Sequence, residues 1–599
     1  MIVLIVGHRG TGKTSWLRAL KEALPDRRYF DLDTVIEQAT GKTVAEIFAA
    51  DGEQTFRQLE VSHLEALVRK YQDNPPDTFI AVGAGYGSYP PEGVHTIWLR
   101  RPSDESGRIF RNRPRLTQMR SSYDEYHYHY GDRDQRYAEW ADEIFDRQEG
   151  LDELLHQGDQ LFWEVETPHV GGVLTVMPEF LRSEDAAHWY LQKRLKWPDV
   201  MFELREDLIN GEQLQWACEV IPYERRIASL RLSNQVSLAR STAGIWDWAL
   251  ELGMPPEGED PPIISQHERG DQSLDAVLEQ FTEVGKKWRL SVLKMAVEVN
   301  SFEELEEGHQ WWSLDPHRRV FLPRSKDGRW KWYRQLMGKK MVYGFWREGR
   351  GSAPDQPSLS DWLSVPDSWK SFAAVIGKPI RHSWTPVEQA AFFAERNMPI
   401  VAIEMDEDEL TQESLDFLRE LGLRAAAITS PLKNQIHSLV YDRSPSAESL
   451  GSANTLALRA DNKWMVDNTD LEGIKVQLQG LPEGVSVAVW GGGGTKGALR
   501  DVIPHARFFS ARSGEERAGP GPEGFLPDVV IWAVGRNRQA TSVWPPGEWQ
   551  PKLVIDLNYT ADSPGLEYAE RVGAEYESGV AMFRTQADFQ RKFWQSQGL

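Results

Sequence analysis

A chain of 599 residues is too long for one hydrophobic core and implies roughly three to five domains. Its formal net charge of -22 argues against a nucleic-acid partner, and a lone cysteine, Cys218, excludes an intramolecular disulfide and a cysteine zinc site. No apolar run approaches the roughly 18 residues of a membrane helix, and Met1 leads straight into an apolar run without a charged leader, so the expectation is a cytoplasmic protein with no membrane partner.

The strand-like run Ile2-Val-Leu-Ile-Val6 enters Gly7-His-Arg-Gly-Thr-Gly-Lys-Thr14 and then a helical pattern. This is GxxxxGK[ST] in a strand-loop-helix setting. Gly7, Gly10 and Gly12 let backbone N–H groups close around phosphates, Lys13 reaches the β and γ oxygens, and Thr14 ligates Mg²⁺. A second strand is expected to end in Tyr29-Phe-Asp-Leu-Asp33, with both acids at a carboxyl end where open α/β sheets bind ligands. Gly52-Glu-Gln-Thr-Phe-Arg-Gln-Leu-Glu60, Gly83-Ala-Gly85, Arg113-Pro-Arg-Leu116 and Arg133-Asp-Gln-Arg-Tyr137 follow, and the set resembles shikimate kinase. The resemblance implies ATP with Mg²⁺. It makes Asp33 the holder of the attacking shikimate hydroxyl, Asp31 a water-mediated support for Mg²⁺, Arg57 and Arg133 a carboxylate clamp, Gly83 a substrate neighbour and Arg113 the lid arginine. Ala84 departs from the family's glycine triplet, and Tyr123-Asp-Glu-Tyr-His-Tyr-His-Tyr130 reads as an aromatic lid hinge.

From about residue 160 to 365 apolar and polar segments alternate as strand and helix, a pattern compatible with a (β/α) barrel or an open α/β layer. Charged residues close successive apolar runs: Glu203, Arg205 and Asp207, then Arg231, His267 and Lys294. Lys294 lies in the run Ser291-Val-Leu-Lys-Met-Ala-Val-Glu298, and burial in apolar surroundings would favour its neutral, nucleophilic amine. The succession resembles type I 3-dehydroquinate dehydratase, which implies a (β/α)8 barrel, an imine on Lys294 and His267 as the acid–base group. In the same terms Glu203, Arg205, Arg231, Arg334, Ser352 and Gln356 bind substrate. Departures are Gln235, where many members carry a glutamate that orients the histidine, and Asp355 in Ser352-Ala-Pro-Asp-Gln356.

Beyond a proline- and serine-dotted segment at 357–368, four motifs occur in order: Ile376-Gly-Lys-Pro-Ile-Arg-His-Ser-Trp-Thr-Pro386, Thr429-Ser-Pro-Leu-Lys433, Gly451-Ser-Ala-Asn-Thr455 and Asp467-Asn-Thr-Asp470. They resemble shikimate dehydrogenase. The apolar run Val485-Ser-Val-Ala-Val-Trp490 then meets a glycine-rich turn, Gly491, Gly493 and Gly494 included, suited to a pyrophosphate at a helix N-terminus. Arg512 after the next strand, in place of an acid, favours NADPH/NADP over NAD. The resemblance implies Lys433 and Asp470 as the catalytic pair, with Ser383, Thr385, Thr429, Asn454, Tyr559 and Gln586 around the substrate.

The order of the three stretches is that of the C-terminal three domains of the pentafunctional arom polypeptides. The expected fold is a multidomain α/β chain: a P-loop kinase domain at 1–158, the barrel at 159–368, and a two-lobed dehydrogenase at 369–599. Its substrate lobe would span about 369–480 and its Rossmann-type NADP lobe about 481–575, with a C-terminal helix returning to the substrate lobe. The implied activity is trifunctional, on small-molecule intermediates of the shikimate pathway, and a homodimer is left open. The competing readings are a non-catalytic regulator resembling quinate repressors, and a bifunctional enzyme with a weak kinase, suggested by Ala84.

Overall fold

The computed structural model describes all residues except 10, 24, 73–75, 101–132, 134–135, 138, 147–170, 196, 198, 233–235, 257, 259, 349–350, 381–382, 483, 493–494, 518–523, 535–542 and 560–562. Two compact units meet in the chain between Asp367 and Ser368.

The first unit opens with strands β1 (Ile2–Val6), β2 (Arg28–Asp31), β3 (Thr78–Ala81), β4 (Val94–Arg100) and β5 (Glu143–Asp146). They pair in parallel in the order β2-β3-β1-β4-β5. All five residues of β1 are buried, as a central parallel strand covered on both faces requires. The chain leaves β1 for β2 on one side and later crosses from β3 past β1 to β4 on the other, so the strand order reverses at β1, and the glycine loop lies at its carboxyl end. The expected second strand is shorter than the sequence suggested. It stops at Asp31, and Asp33 lies in the first turn of the helix Leu32–Thr40, where the helix dipole favours a carboxylate.

The same unit continues with β6 (Val173–Thr175), β7 (Met201–Arg205), β8 (Arg226–Leu230), β9 (Ile245–Ala249), β10 (Ile263–Gln266), β11 (Val292–Met295), β12 (Arg319–Phe321) and β13 (Phe345–Trp346). They form one sheet in the order β12-β11-β10-β9-β8-β7-β6-β13, every neighbouring pair parallel. The last strand therefore pairs with the first. One cluster of buried side chains runs from Tyr137 and Trp140 into Met177, Phe180 and Leu181, so the two sheets share a core.

The second unit contains a six-stranded sheet of β14 (Phe372–Gly377), β15 (Ile400–Glu404), β16 (Leu423–Ile428), β17 (Asp442–Arg443), β18 (Thr455–Leu458) and β19 (Trp464–Asp467). Its order is β15-β14-β16-β18-β19-β17, with β18 antiparallel to both neighbours. A Rossmann-like parallel sheet follows, built from β20 (Val487–Gly491), β21 (Arg507–Phe509), β22 (Val529–Ala533), β23 (Leu553–Asp556) and β24 (Glu575–Glu577) in the order β21-β20-β22-β23-β24. The helix Val580–Ser596 returns to the first lobe, where Phe593 and Trp594 join the core of Ala373, Phe393 and Ala457. Among the described residues no helix is long and apolar enough to cross a membrane.

Candidate active sites

At the carboxyl end of β1, Lys13 Nζ donates to the carbonyls of Gly7 at 2.7 Å and His8 at 3.0 Å, so the amine folds over its own loop. Thr14 Oγ1 donates to Asp31 Oδ2 at 2.8 Å, which brings two hard oxygen donors together in the manner Mg²⁺ prefers. Asp33 faces the same crevice. Burial foremost and the Asp31 charge next push its carboxyl upward, against the pull of Lys13.

Arg57 donates to Glu60 at 2.6 Å and to Glu53 at 2.8 Å. Glu60 is buried, and burial raises its carboxyl to about 7 despite Arg57. A Cβ on Gly83 would lie 2.6 Å from Glu60 Oε1 and 3.3 Å from Asp33 Oδ1, so Gly83 borders this acid pair. Tyr137 Oη donates to the Ala84 carbonyl at 2.5 Å: the residue that departs from the glycine triplet is used through its backbone. Arg133 is half-buried, while Gly10, Arg113 and the 123–130 tract fall outside the described residues.

In the eight-stranded sheet, the expected residues converge at the carboxyl ends of the strands. Lys294 is buried, as expected, but its surroundings are not apolar. Its Nζ donates to Glu203 Oε1 and to Asp247 Oδ2, both at 3.0 Å, and stands 4.1 Å from the Phe345 ring centroid. Two carboxylates offset the cost of removing the lysine charge from water, a cost the sequence argument had assigned to an isolated amine. Glu203 is held at about 2. Burial opposes its ionisation, and the charges of Lys294, Arg205 and Arg231 outweigh burial.

Arg231 reaches Asp247 at 3.1 Å, Ser265 Oγ at 2.8 Å and His267 Nδ1 at 3.3 Å. Arg205 forms a two-pronged pair with Asp207 at 3.0 and 2.6 Å. Gln356 Nε2 donates to Thr175, Ser352 Oγ donates to Gln356 Oε1, and Thr175 donates to Glu203 Oε2, so the late loop is tied to the carboxylate beside Lys294. Arg334 is buried, and burial lowers it to about 10 against the opposing charge of Asp355. Asp355, the second departure, accepts from Ser325 N, Ser325 Oγ and Trp330 N, and so pins the segment after β12.

Two residues of this site escaped the sequence reading. Asp247 sits inside β9, and Glu251 follows it; Glu251 accepts from the backbone N–H groups of His267 at 2.6 Å and Glu268 at 2.9 Å and lies 3.4 Å from His267 Nδ1. Gln235 is outside the described residues.

In the second unit Lys433 Nζ donates to Asp470 Oδ2 at 2.6 Å. The other carboxylate oxygen, Oδ1, accepts from Asn454 Nδ2 at 2.9 Å and Gln586 Nε2 at 2.7 Å. Four expected residues from four parts of the chain thus meet at one carboxylate. Nearby, the Thr385 N–H donates to Ser383 Oγ at 3.2 Å, and the Tyr559 ring lies 4.9 Å from Trp384 and 4.4 Å from Phe583. Thr429 is bonded through its N–H to Ile376 at the end of β14. Gln389 is buried and bonded to the C-terminal helix through Ala587, Gln590 and Arg591.

At the switch point of the Rossmann-like sheet, Gly491 has φ +96°, and a Cβ there would meet the Ala533 carbonyl at 2.8 Å, so only glycine fits. Exposed Arg512 follows β21, next to β20. Gly493 and Gly494 are outside the described residues.

Comparison with known proteins meets this geometry at both ends of the chain. The shikimate kinase family model matches residues 9–158, and the model for the shikimate dehydrogenase substrate binding domain matches residues 375–456. A shikimate kinase domain and a shikimate dehydrogenase domain are present. Shikimate dehydrogenase (NADP(+)) of Prochlorococcus marinus (strain MIT 9301) is 32% identical over 136 residues, covering 22% of this chain and 48% of that protein. The enzyme of the same name from Syntrophobacter fumaroxidans is 29% identical over 252 residues, covering 38% and 87%. The pentafunctional AROM polypeptide of Eremothecium gossypii is 34% identical over 127 residues, 20% of this chain and 8% of that one. The chain thus spans about half the length of the first curated relatives it matches. The crystal structure of shikimate dehydrogenase from Aquifex aeolicus is 23% identical, with TM-score 0.34, covering 38% of this chain and 94% of that one.

Proposed function

We propose that the chain is a trifunctional shikimate-pathway enzyme: a dehydratase acting on 3-dehydroquinate, an NADPH-dependent reductase of 3-dehydroshikimate, and an ATP-dependent kinase that phosphorylates shikimate at its 3-hydroxyl. The observation that carries the reading is the Lys433–Asp470 pair at 2.6 Å, with Asn454 and Gln586 on the far carboxylate oxygen. In this reading Lys433 and Asp470 hold and move the proton at the substrate's oxygen, while bound NADPH supplies hydride to its carbonyl carbon. Gly491 and Arg512 would hold the dinucleotide. The turn at Gly491 has no room for a side chain, and exposed Arg512, one strand away, is the residue that would meet a 2′-phosphate.

The middle stretch, taken as 159–368, is read as a closed (β/α)8 barrel in which the Lys294 amine, once deprotonated, condenses with the substrate ketone to an imine with loss of water, and His267 takes the adjacent C–H proton and returns it to the leaving hydroxyl, which departs as water. The pairing of β13 with β6 and the meeting of Lys294, Arg231 and His267 at the carboxyl ends support this. At 1–158, ATP with Mg²⁺ would be held by the β1 loop, Lys13, Thr14 and Asp31, with Asp33 receiving the shikimate hydroxyl. Residues 369–599 form the dehydrogenase.

The full chain supplied with 3-dehydroquinate and NADPH should oxidise NADPH, and added ATP should then yield shikimate 3-phosphate. Oxidation only when 3-dehydroshikimate is supplied would remove the dehydratase. No oxidation with either substrate would sink the reading in favour of the regulator. Borohydride with 3-dehydroquinate should trap an adduct on Lys294 that Lys294→Ala abolishes.

A further inference from the structure

We propose that Glu251 is a positioning residue for His267: its carboxylate holds the imidazole as the tautomer protonated on Nδ1, leaving Nε2 as the free base. The inference rests on the dehydratase reading for its catalytic consequence, and on geometry alone for the tautomer.

His267 Nδ1 has two neighbours with opposite requirements. Arg231 Nη1, at 3.3 Å, can only donate, so it demands a lone pair on Nδ1. Glu251 Oε2, at 3.4 Å, can only accept when ionised, so it demands a proton there. The two cannot be satisfied together, and the winner decides which nitrogen is basic. Nε2 is buried with no hydrogen-bond partner among the described residues, as a base awaiting a substrate proton would be.

Three facts favour Glu251. Its Oε1 is anchored by the N–H groups of His267 and Glu268, so the carboxylate is aimed without help from the imidazole. Arg231 has better-placed acceptors in Ser265 Oγ at 2.8 Å and Asp247 Oδ2 at 3.1 Å. Glu251 is also held ionised at about 2, burial being outweighed by its bonds to His267 and Glu268.

The charges around the ring set the pH behaviour. Arg231 comes from the end of β8, Asp247 from β9, Glu251 from the turn after β9, and Lys294 from β11. Arg324, in the segment after β12, donates to the His267 carbonyl at 3.5 Å. Burial first and Arg231 next lower His267 to about 4, while Glu251 and Asp247 oppose them. When Nε2 takes a proton from the substrate, the imidazolium that forms has Glu251 as its Nδ1 acceptor. No other described residue offers an acceptor to that nitrogen.

Histidine-selective ¹⁵N spectra of the full chain near pH 7.5 test the tautomer, with His267→Asn assigning the signals. Nδ1 should carry the proton in the unsubstituted protein, and Nε2 should carry it in Glu251→Gln and in Glu251→Ala. In Glu251→Gln the single amide oxygen stays on the His267 and Glu268 N–H groups and the NH2 group faces Nδ1 as a donor, so a side chain of the same size should flip the tautomer, and a folding defect in the alanine variant does not remove the test. For dehydration, Glu251→Ala should lower kcat about 10²-fold with little change in KM. Glu251→Gln should lower kcat by a similar factor, again with little change in KM. An Nε2–H tautomer in the unsubstituted protein, or no change in the alanine variant, would overturn the proposal. The expected tautomer shift in a protein that fails to dehydrate 3-dehydroquinate would uphold it and sink the dehydratase reading instead.

Discussion

At the scale of single residues, the arrangement around Asp470 makes the sharpest demand. Oδ2 accepts a hydrogen bond from Lys433 Nζ while Oδ1 is held by two amides, so the carboxylate is fixed before substrate arrives. Asp470→Asn would present an N–H to Lys433 or to Asn454 and Gln586. The expected outcome is a kcat for 3-dehydroshikimate reduction lower by about 10² to 10⁴-fold, with NADPH affinity, read by fluorescence titration, unchanged. Lys433, Asn454 and Asp470 were legible because each sits in a local motif. Asp247 was not: between Trp246 and Trp248 it reads as the polar member of an alternating strand, and its partner Lys294 is brought to it only through the register of β9, β10 and β11. The burial of Lys294 follows from its apolar run, but its two carboxylate partners do not, because such a run says nothing of acids arriving from other strands. Glu251 is equally invisible, its contact with His267 spanning 16 residues across a loop.

At the scale of elements, two packings carry function. The helices Asp470–Leu478 and Val580–Ser596 approach closely at Gly473, where a Cβ would lie 2.7 Å from Gln586 Cγ and 2.9 Å from the Met582 carbonyl. A backbone carbonyl cannot swing aside, so Gly473→Ala should shift the terminal helix and draw Gln586 off Asp470. The measurable result is a raised KM for 3-dehydroshikimate and a lower thermal midpoint of the second unit. In the eight-stranded sheet, Glu203 and Glu251 are both held at about 2, and His267 is lowered to about 4. All three are depressed relative to an unfolded chain, so their contribution is complete above about pH 6.5. It is lost as pH falls, first through histidine protonation and then through the carboxylates between about 4.5 and 2. Acid unfolding of this sheet, followed by tryptophan fluorescence, should therefore begin below neutrality and become less steep at its lower end in Glu203→Gln. The alternation of elements was legible in the sequence, but the pairing of β13 with β6 was not, since a two-residue strand carries no periodicity.

At the scale of the whole molecule, the distribution of buried side chains predicts which parts separate. The clusters around Val487, around Trp490 and around Phe593 are built wholly from residues beyond Ser368. A fragment of residues 368–599 is therefore expected to fold and to reduce 3-dehydroshikimate with a kcat within about two- to threefold of the full chain, since these clusters and the Lys433–Asp470 pair are all contained in it. The kinase stretch is different. Trp140 and Tyr137 belong to the cluster that continues through Met177 and Phe180, and Arg182 donates to the Glu139 carbonyl. Cutting the chain near residue 158 would strip apolar cover from Trp140, a ring only 6% exposed in the intact unit. Tyr137, which holds the Ala84 carbonyl beside Gly83, would lose part of its support in the same step. Fragment 1–158 should thus show lower chemical stability and weaker shikimate binding than fragment 1–367, as read by denaturant titration and calorimetry. Equal stability and affinity in the two fragments would mean that the shared core contributes nothing to the kinase site.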